Sequence, residues 1–237
     1  MKDLTTRLII IVLFFTASTA AYCEATSATD AVVYLPARFA DGGNSLLDAL
    51  TFKTDQSDFI ATTFCYAKAS IKGKLIKPLC LISDWEQRAF SKDVELQLND
   101  LPIVAATING EPVNVQVQMM VSYQCGKGRC QGLVTLNHGE LKNTYGLNYI
   151  APQLILDGLK GPRGVGGWFF ERGVKLSLGV TVDSQGLPID VKEFKSEPEY
   201  RMWSKKVKKM LKRSRYIPGI YNAEYVSMSY TYAFIVY

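Results

Sequence analysis

The sequence Val174-Lys-Leu-Ser-Leu-Gly-Val-Thr-Val-Asp-Ser-Gln-Gly186 lies near the start of the C-terminal stretch of this chain, Arg172–Tyr237. Apolar and polar residues alternate in its first part, which predicts a strand with one buried face. The segment Asp183–Gly186 predicts a turn, because Asp and Gly favour the backbone geometry of tight turns. A second strand is predicted at Ile189–Phe194, so the two strands together predict a β-hairpin.

A basic amphipathic helix is predicted after this hairpin, at about Glu199–Arg213. One side of it is an apolar stripe formed by Trp203, Val207, Met210 and Leu211. The chain then ends in a predicted strand at Val226–Phe234, where apolar residues recur at every second position. The order strand, turn, strand, helix, strand predicts a helix packed on a small antiparallel sheet.

The same order of elements recurs between residues 59 and 124. A gapless shift of 113 residues superposes this segment on residues 172–237 and keeps the turn glycine, the helix face and the last strand in phase. The aligned pairs include Gly73 with Gly186, Phe90 with Trp203, Val94 with Val207 and Leu98 with Leu211. We expect a diverged second copy of the same unit, with two unrelated β-rich segments as the alternative.

The predicted fold class is therefore α+β, with two tandem small domains. Each is expected to be an antiparallel sheet packed by one helix, in the order β-β-α-β. The predicted strand Val113–Tyr123 alternates apolar and polar residues, which indicates one face on a core. The segment Gly132–Leu136 is expected to lie beside that strand and to cover the edge of the first copy.

The C-terminal stretch resembles the TonB C-terminal domain over about 65 residues. The resemblance is carried by Val180-Thr-Val-Asp-Ser-Gln-Gly186 on the first hairpin and by Tyr216-Ile-Pro218 after the helix. In the first copy Ala105 takes the place of Pro218. The resemblance implies a domain on the periplasmic side of a Gram-negative envelope that captures an extended peptide of an outer-membrane receptor as an added strand.

The chain departs from an energy transducer of that family, which has an uncleaved membrane anchor and a long Pro-rich spacer. The nine prolines of this chain are scattered. The expected function is therefore that of a non-enzymatic periplasmic TonB-like protein that binds a segment of an envelope or outer-membrane protein by edge-strand addition. The alternative is a genuine transducer component in receptor-mediated transport, held by an uncleaved N-terminal anchor.

Four segments are predicted along the chain. Residues 1–25 form a signal peptide, residues 26–150 an N-terminal TonB-C-like β-rich domain with extra strands, residues 151–171 a Gly/Pro-rich linker, and residues 172–237 the C-terminal TonB-like domain. Pro and Gly recur in the linker, as at a domain boundary. Residues 26–57 are assigned no function.

The N-terminal segment has the features of an export signal. Lys2 and Arg7 precede the apolar core Leu8–Phe15, and Ser18-Thr-Ala20 offers a small-residue cleavage site. The apolar run is shorter than the roughly 20 residues that a spanning helix needs, which favours cleavage over a retained anchor. Cys23 is preceded by Tyr22, where a lipoprotein signal needs a small residue. Together with the resemblance described above, export implies a periplasmic location for the mature protein.

The cysteines are suited to disulfide bonds in an oxidising compartment. Cys65 and Cys80 lie almost symmetrically about the turn at Lys72-Gly73, and Cys125 and Cys130 bracket a Gly-rich turn. Hairpins at these turns favour the bonds Cys65–Cys80 and Cys125–Cys130, although four cysteines allow three pairings.

The last strand is the predicted binding edge, because the chain ends after it and no further segment covers it. An open edge presents unpaired N–H and C=O groups that a partner strand can satisfy. The predicted partner-binding residues are Val226, Ser227, Met228, Ser229, Tyr230, Thr231 and Tyr232. A homodimer through this edge is the other outcome considered.

Lysines cover the solvent side of the predicted C-terminal helix. They form either an ordinary solvated face or a contact with anionic peptidoglycan, lipid or an acidic partner. The residues of this basic face are Lys205, Lys208, Lys209 and Lys212. The formal net charge of +5 is too mild to indicate nucleic acid. No nucleophile–base pair, metal-ligand cluster or phosphate loop is recognisable, so neither an enzyme nor a cofactor is expected.

Overall fold

Both predicted hairpins form in the computed structural model of this chain, each within an antiparallel sheet whose outer strand is the second strand of the hairpin. The structure describes residues 32–50, 58–81, 88–126, 129–139, 141–159, 176–196 and 201–234. The predicted signal peptide and most of the predicted linker lie outside these residues. From Val32 onward the chain forms one compact unit. All strand pairs in its described part are antiparallel, and helices pack on the sheets, so the predicted α+β class is confirmed.

Four helices and fifteen strands make up the described part of the chain. In chain order they are β1 (Tyr34–Leu35), α1 (Asn44–Ala49), β2 (Phe59–Ala69), β3 (Leu75–Leu81), α2 (Arg88–Leu98), β4 (Ala106–Ile108), β5 (Glu111–Val113), β6 (Val115–Gly126), β7 (Arg129–Thr135), α3 (Lys142–Tyr145), β8 (Tyr149–Ile150), β9 (Gln153–Ile155), β10 (Leu176–Val182), β11 (Pro188–Ser196), α4 (Arg201–Leu211), β12 (Tyr216–Ile217), β13 (Gly219–Tyr221), β14 (Glu224–Val226) and β15 (Met228–Phe234).

The first module consists of β2, β3, α2 and β6. Its sheet has the order β12-β9-β6-β2-β3, and β7 also pairs with β6. Helix α2 covers one face of this sheet, because Phe90, Val94 and Leu98 recur on one side of the helix and are buried against it. Strand β7 lies along β6 from Met120 to Gly126. The expected covering of this edge is therefore confirmed.

The second module consists of β10, β11, α4 and β15. Its sheet has the order β11-β10-β15. Alternate residues of β10, among them Leu178 and Val180, are buried in one core with Val207 and Leu211 of α4. Trp203, predicted on the apolar stripe, is only partly buried, and Ser204 beside it is buried and donates a hydrogen bond to Glu193.

The two modules have matching bounds and registers. Helix α4 begins 113 positions after α2 (201 minus 88), and both helices span 11 residues. The pair Ala69–Leu75 in the first hairpin corresponds at this shift to Val182–Pro188 in the second. Every residue pair between β10 and β15 has its counterpart between β2 and β6 at the same shift. The modules therefore share one geometry.

The turn glycines show why the two hairpins end alike. Gly73 has φ 69° and Gly186 has φ 76°, in the left-handed region that glycine adopts readily. A Cβ on Gly186 would lie 2.1 Å from the Tyr216 carbonyl oxygen, and one on Gly73 would lie 2.9 Å from that of Ile103. A side chain at either position would push away the segment that follows the helix.

Each module also has a short N-terminal arm. Strand β1 pairs with β4 in the first module, and β8 pairs with β13 in the second. The segments that follow the two arms are joined by the buried side chain of Gln153. Its Oε1 accepts a hydrogen bond from the Ala37 N–H, and its Nε2 donates one to the Ala37 carbonyl, both at 2.8 Å. Ile217 of the second half is buried in the core of the first.

Candidate functional site

The predicted binding edge, β15, pairs with one strand only. It lies antiparallel to β10 from Met228 to Phe234, and in the described part of the chain no second strand pairs with it. Its counterpart β6 pairs with β7 and β9 on the side away from β2. The last strand is thus an edge of its sheet, whereas β6 lies inside its own.

Side chains of β2, β6 and α3 cap this edge near its middle. The Thr231 carbonyl accepts hydrogen bonds from Tyr66 Oη at 3.2 Å and Gln118 Nε2 at 2.6 Å. The Ser227 carbonyl accepts one from Tyr145 Oη at 3.4 Å. These donors come from outside the second module and face away from β10. A partner strand at β15 would have to displace the caps around the exposed residue Ser229.

The predicted edge residues do not form a single strand. Val226 belongs to β14 and pairs with Gly219 of β13, and Ser227 separates that hairpin from β15. Met228, Tyr230 and Thr231 are buried, and Ser229 is exposed. The side chain of Tyr232 lies outside the described part of the molecule.

The predicted basic face is present on α4 and just after it. Lys205, Lys209 and Lys212 are exposed, and Lys208 is half-buried. No acidic residue occurs between Arg201 and Arg215. A row of like charges without neutralising neighbours creates a positive potential at the surface.

The other edge of the second sheet, β11, was not among the predicted binding residues. It pairs with β10 and with no second strand in the described part of the chain. Its Ile189 and Phe194 are each 64% exposed, although both are large and apolar. The predicted hairpin indicated this strand, but only the three-stranded order shows that it is an edge.

The cysteine pairs lie where the hairpins predicted them. Cys65 and Cys80 are joined by a disulfide bond, with their Cα atoms 4.0 Å apart, so this predicted bond is confirmed. Cys125 is disulfide-bonded and stands opposite Cys130 in the register of β6 and β7. The side chain of Cys130 is outside the described part, so the Cys125–Cys130 bond stays a prediction, and Cys23 also lies outside it.

His138 is buried against Phe64 and Tyr66, with ring centroids 5.5 Å and 4.7 Å away. Burial lowers the pKa of its imidazole to about 3. Its Nε2 has no hydrogen-bond partner among the described residues.

Burial also raises the pKa of the Tyr216 phenol. In the described part of the chain, no group of three His, Cys, Asp or Glu side chains could hold a metal ion.

Comparison of the chain with protein-family models, curated proteins and solved structures gave no match. Within the described residues, none of the helices combines the length and apolarity needed to cross a membrane.

Proposed function

We propose that this protein is a non-enzymatic periplasmic binding protein that captures an extended segment of another envelope protein as an added strand on its second sheet. The observation that carries the proposal is the sheet order β11-β10-β15, in which both outer strands pair on one side only in the described part of the chain. Such an edge offers a partner a row of backbone donors and acceptors. The partner would be an outer-membrane receptor or a transport component.

The proposal includes tandem TonB-C-like modules. The shared helix bounds and strand registers support a common origin of the two modules. We assign the two modules different roles because the edges of their sheets differ. The first module has β6 enclosed by β7 and β9, so it serves as a scaffold, and the second module carries the binding strand.

Proline substitution at both edges tests strand addition. Ser229 and Glu193 stand where the strand register directs the backbone N–H away from β10, and proline at such edge positions removes a donor without breaking the existing pairs. The double variant Ser229→Pro/Glu193→Pro should lose the partners that the wild-type protein retains from envelope extracts. Unchanged partners in a variant with native circular dichroism would contradict the proposal.

The location is tested separately. Mass spectrometry of the protein isolated from cells should find an N-terminus near Ala21, and fractionation should find the protein in the periplasm. An N-terminus that retains Leu8–Phe15 would support the alternative function, an anchored transducer component.

A further inference from the structure

The edge strands β3 and β11 differ in whether a side chain from the neighbouring helix caps their backbone. In the first module, Glu95 of α2 reaches the edge strand β3, where its Oε2 accepts a hydrogen bond from the Cys80 N–H at 3.0 Å. The same shift of 113 places Lys208 at the position of Glu95 and Glu193 at that of Cys80. An ammonium group accepts no hydrogen bond. The cap on the first edge strand therefore has no counterpart on β11.

The strand register shows which way the backbone of β11 points. Gly179 pairs with both Thr231 and Lys192. The Thr231 carbonyl accepts two side-chain hydrogen bonds, from Tyr66 and Gln118, so it does not bond to Gly179 and points away from β10. Because hydrogen-bonded and non-hydrogen-bonded pairs alternate in antiparallel strands, Gly179 bonds to Lys192, and the N–H of Glu193 points outward. Neither another strand nor a side chain of the described residues accepts this N–H.

The surroundings of β11 have the features of a docking edge. Lys205, Lys208 and Lys212 recur at helical positions i, i+3 and i+7 and so share one side of the helix. The helix packs mainly on β11. The exposed Ile189 and Phe194 offer apolar contact area on the strand itself. Strand side chains on one face recur about every 6.4–6.8 Å, which is comparable to the rise of about 4.5–6 Å between these lysines.

We infer that β11, and not β15, is the binding edge, and that its occupant is an extended acidic peptide segment. The inference rests on the proposed function and adds the strand and the chemistry of the partner. The backbone of the segment pairs with β11, and its carboxylates lie beside Lys205, Lys208 and Lys212. Strand β15 is disfavoured because Tyr66 and Gln118 already occupy the Thr231 carbonyl.

The probe is a fluorescein-labelled peptide of ten residues that alternates Thr and Glu. Its affinity for the purified full chain is measured by fluorescence anisotropy at low and high salt. A peptide alternating Thr and Lys controls for charge, and a Thr–Glu peptide N-methylated at every second residue controls for backbone pairing. We expect the Thr–Glu peptide to bind, and both controls to bind at least tenfold more weakly.

The variants locate the edge. Lys208→Glu restores a carboxylate where Glu95 caps β3, and it should weaken binding of the Thr–Glu peptide at least tenfold. Lys92→Glu makes the same charge change on α2, away from β11, and should leave the affinity within twofold of wild type. Circular dichroism and the urea midpoint are measured for both variants, so that a loss of binding is not confused with a loss of fold.

Other outcomes overturn the inference in different ways. If Ser229→Pro abolishes binding and Lys208→Glu does not, the edge is β15, and the inference is wrong while the proposed function stands. If the N-methylated peptide binds as tightly as its parent, charge acts without strand pairing, and the proposed function fails too. Two further results would contradict an acidic peptide as the occupant. One is that the Thr–Glu peptide does not bind, and the other is that light scattering shows the protein to dimerise through β11.

Discussion

Helices α2 and α4 occupy the same place in two modules of the same geometry, and they share part of their buried face. Ser91, Val94 and Leu98 of α2 are buried, and the equivalent residues of α4 are the same three types and also buried. On the solvent side, Asp93 and Glu95 of α2 are both replaced by lysines. Glu95 caps the edge strand β3 and Lys208 cannot form such a cap, so this change on the outer side of the helix leaves the edge of β11 open.

The faces of the two sheets that point away from the helices also differ, because one is buried and the other is partly exposed. In the first sheet, Tyr66, Gln116 and Gln118 face away from α2 and are buried beneath the edge of β15. In the second sheet, Phe194 lies over Gly179 and is itself 64% exposed. In the described part of the chain, the first sheet is therefore covered on both faces, whereas the outer face of the second sheet remains partly exposed.

The largest difference is expected at the aromatic residue of each helix. Phe90 is buried against Phe59 and Tyr123, so Phe90→Ala should lower the free energy of unfolding by about 3–5 kcal/mol. Trp203 is only partly buried and lies under the Lys206 ammonium at 5.1 Å. Trp203→Ala should cost about 1–2 kcal/mol, because less apolar area leaves water there. Urea unfolding measures the free energy of unfolding of both variants. Equal losses in the two variants would contradict the difference in packing.

The cysteine pair of the first hairpin has no counterpart in the second, where Leu178 stands opposite Glu193. A loop of this size closed by a disulfide limits the unfolded chain, so the variant Cys65→Ala/Cys80→Ala should lose about 3 kcal/mol. Chemical denaturation under oxidising conditions measures the loss. Reduction of the wild-type protein also breaks the disulfide bond of Cys125, so it should destabilise the protein by at least this amount. No change in the double variant would show that the hairpin does not need the Cys65–Cys80 bond.

The local parts of both modules could be predicted from the sequence. Residue alternation, the turn at Asp183–Gly186 and the helix stripe are properties of neighbouring residues, and the disulfide Cys65–Cys80 follows from the hairpin register. These patterns depend on backbone geometry within a few residues.

The contacts between distant segments could not be predicted. Gln116 and Gln118 alternate with valines in β6 and so look like the solvent face of a strand, yet both are buried under the second module. The Gln118 amide reaches a carbonyl 113 positions away. The arms at Tyr34 and Tyr149 are strands of two residues, too short for any periodicity. Capping of β15 therefore became visible only in the assembled fold.

The buried face of the first sheet makes stability depend on pH through His138. Its pKa is about 3 in the folded chain and about 6.5 when unfolded, because burial between Phe64 and Tyr66 disfavours the charged imidazole. As the pH falls, the unfolded chain takes up a proton at this imidazole before the folded chain does. The free energy of unfolding that depends on the neutral imidazole is therefore fully present above pH 6.5 and decreases as the pH drops towards 3. From pH 7 to pH 5 the loss should be about 2 kcal/mol.

Urea unfolding at pH 7 and pH 5 measures this loss, and His138→Leu is the matched control. Because the variant has no imidazole, its stability should decrease less over the same interval. If the wild-type protein and the variant lose the same stability, other groups cause the pH dependence.

The smallest expected effect tests the cap that distinguishes the two edges. Glu95→Lys removes the acceptor of the Cys80 N–H and should cost about 1–2 kcal/mol, because an N–H group in a buried residue is left without a partner. Lys92→Ala breaks only the exposed ion pair of Lys92 with Glu95 and should cost less than about 0.5 kcal/mol. Lys208→Glu should change stability by no more than about 0.5 kcal/mol, since the outward N–H of Glu193 already faces water. A cost for Lys208→Glu as large as that for Glu95→Lys would mean that Lys208 has a structural role, and the contrast between a closed edge on β3 and an open edge on β11 would not hold.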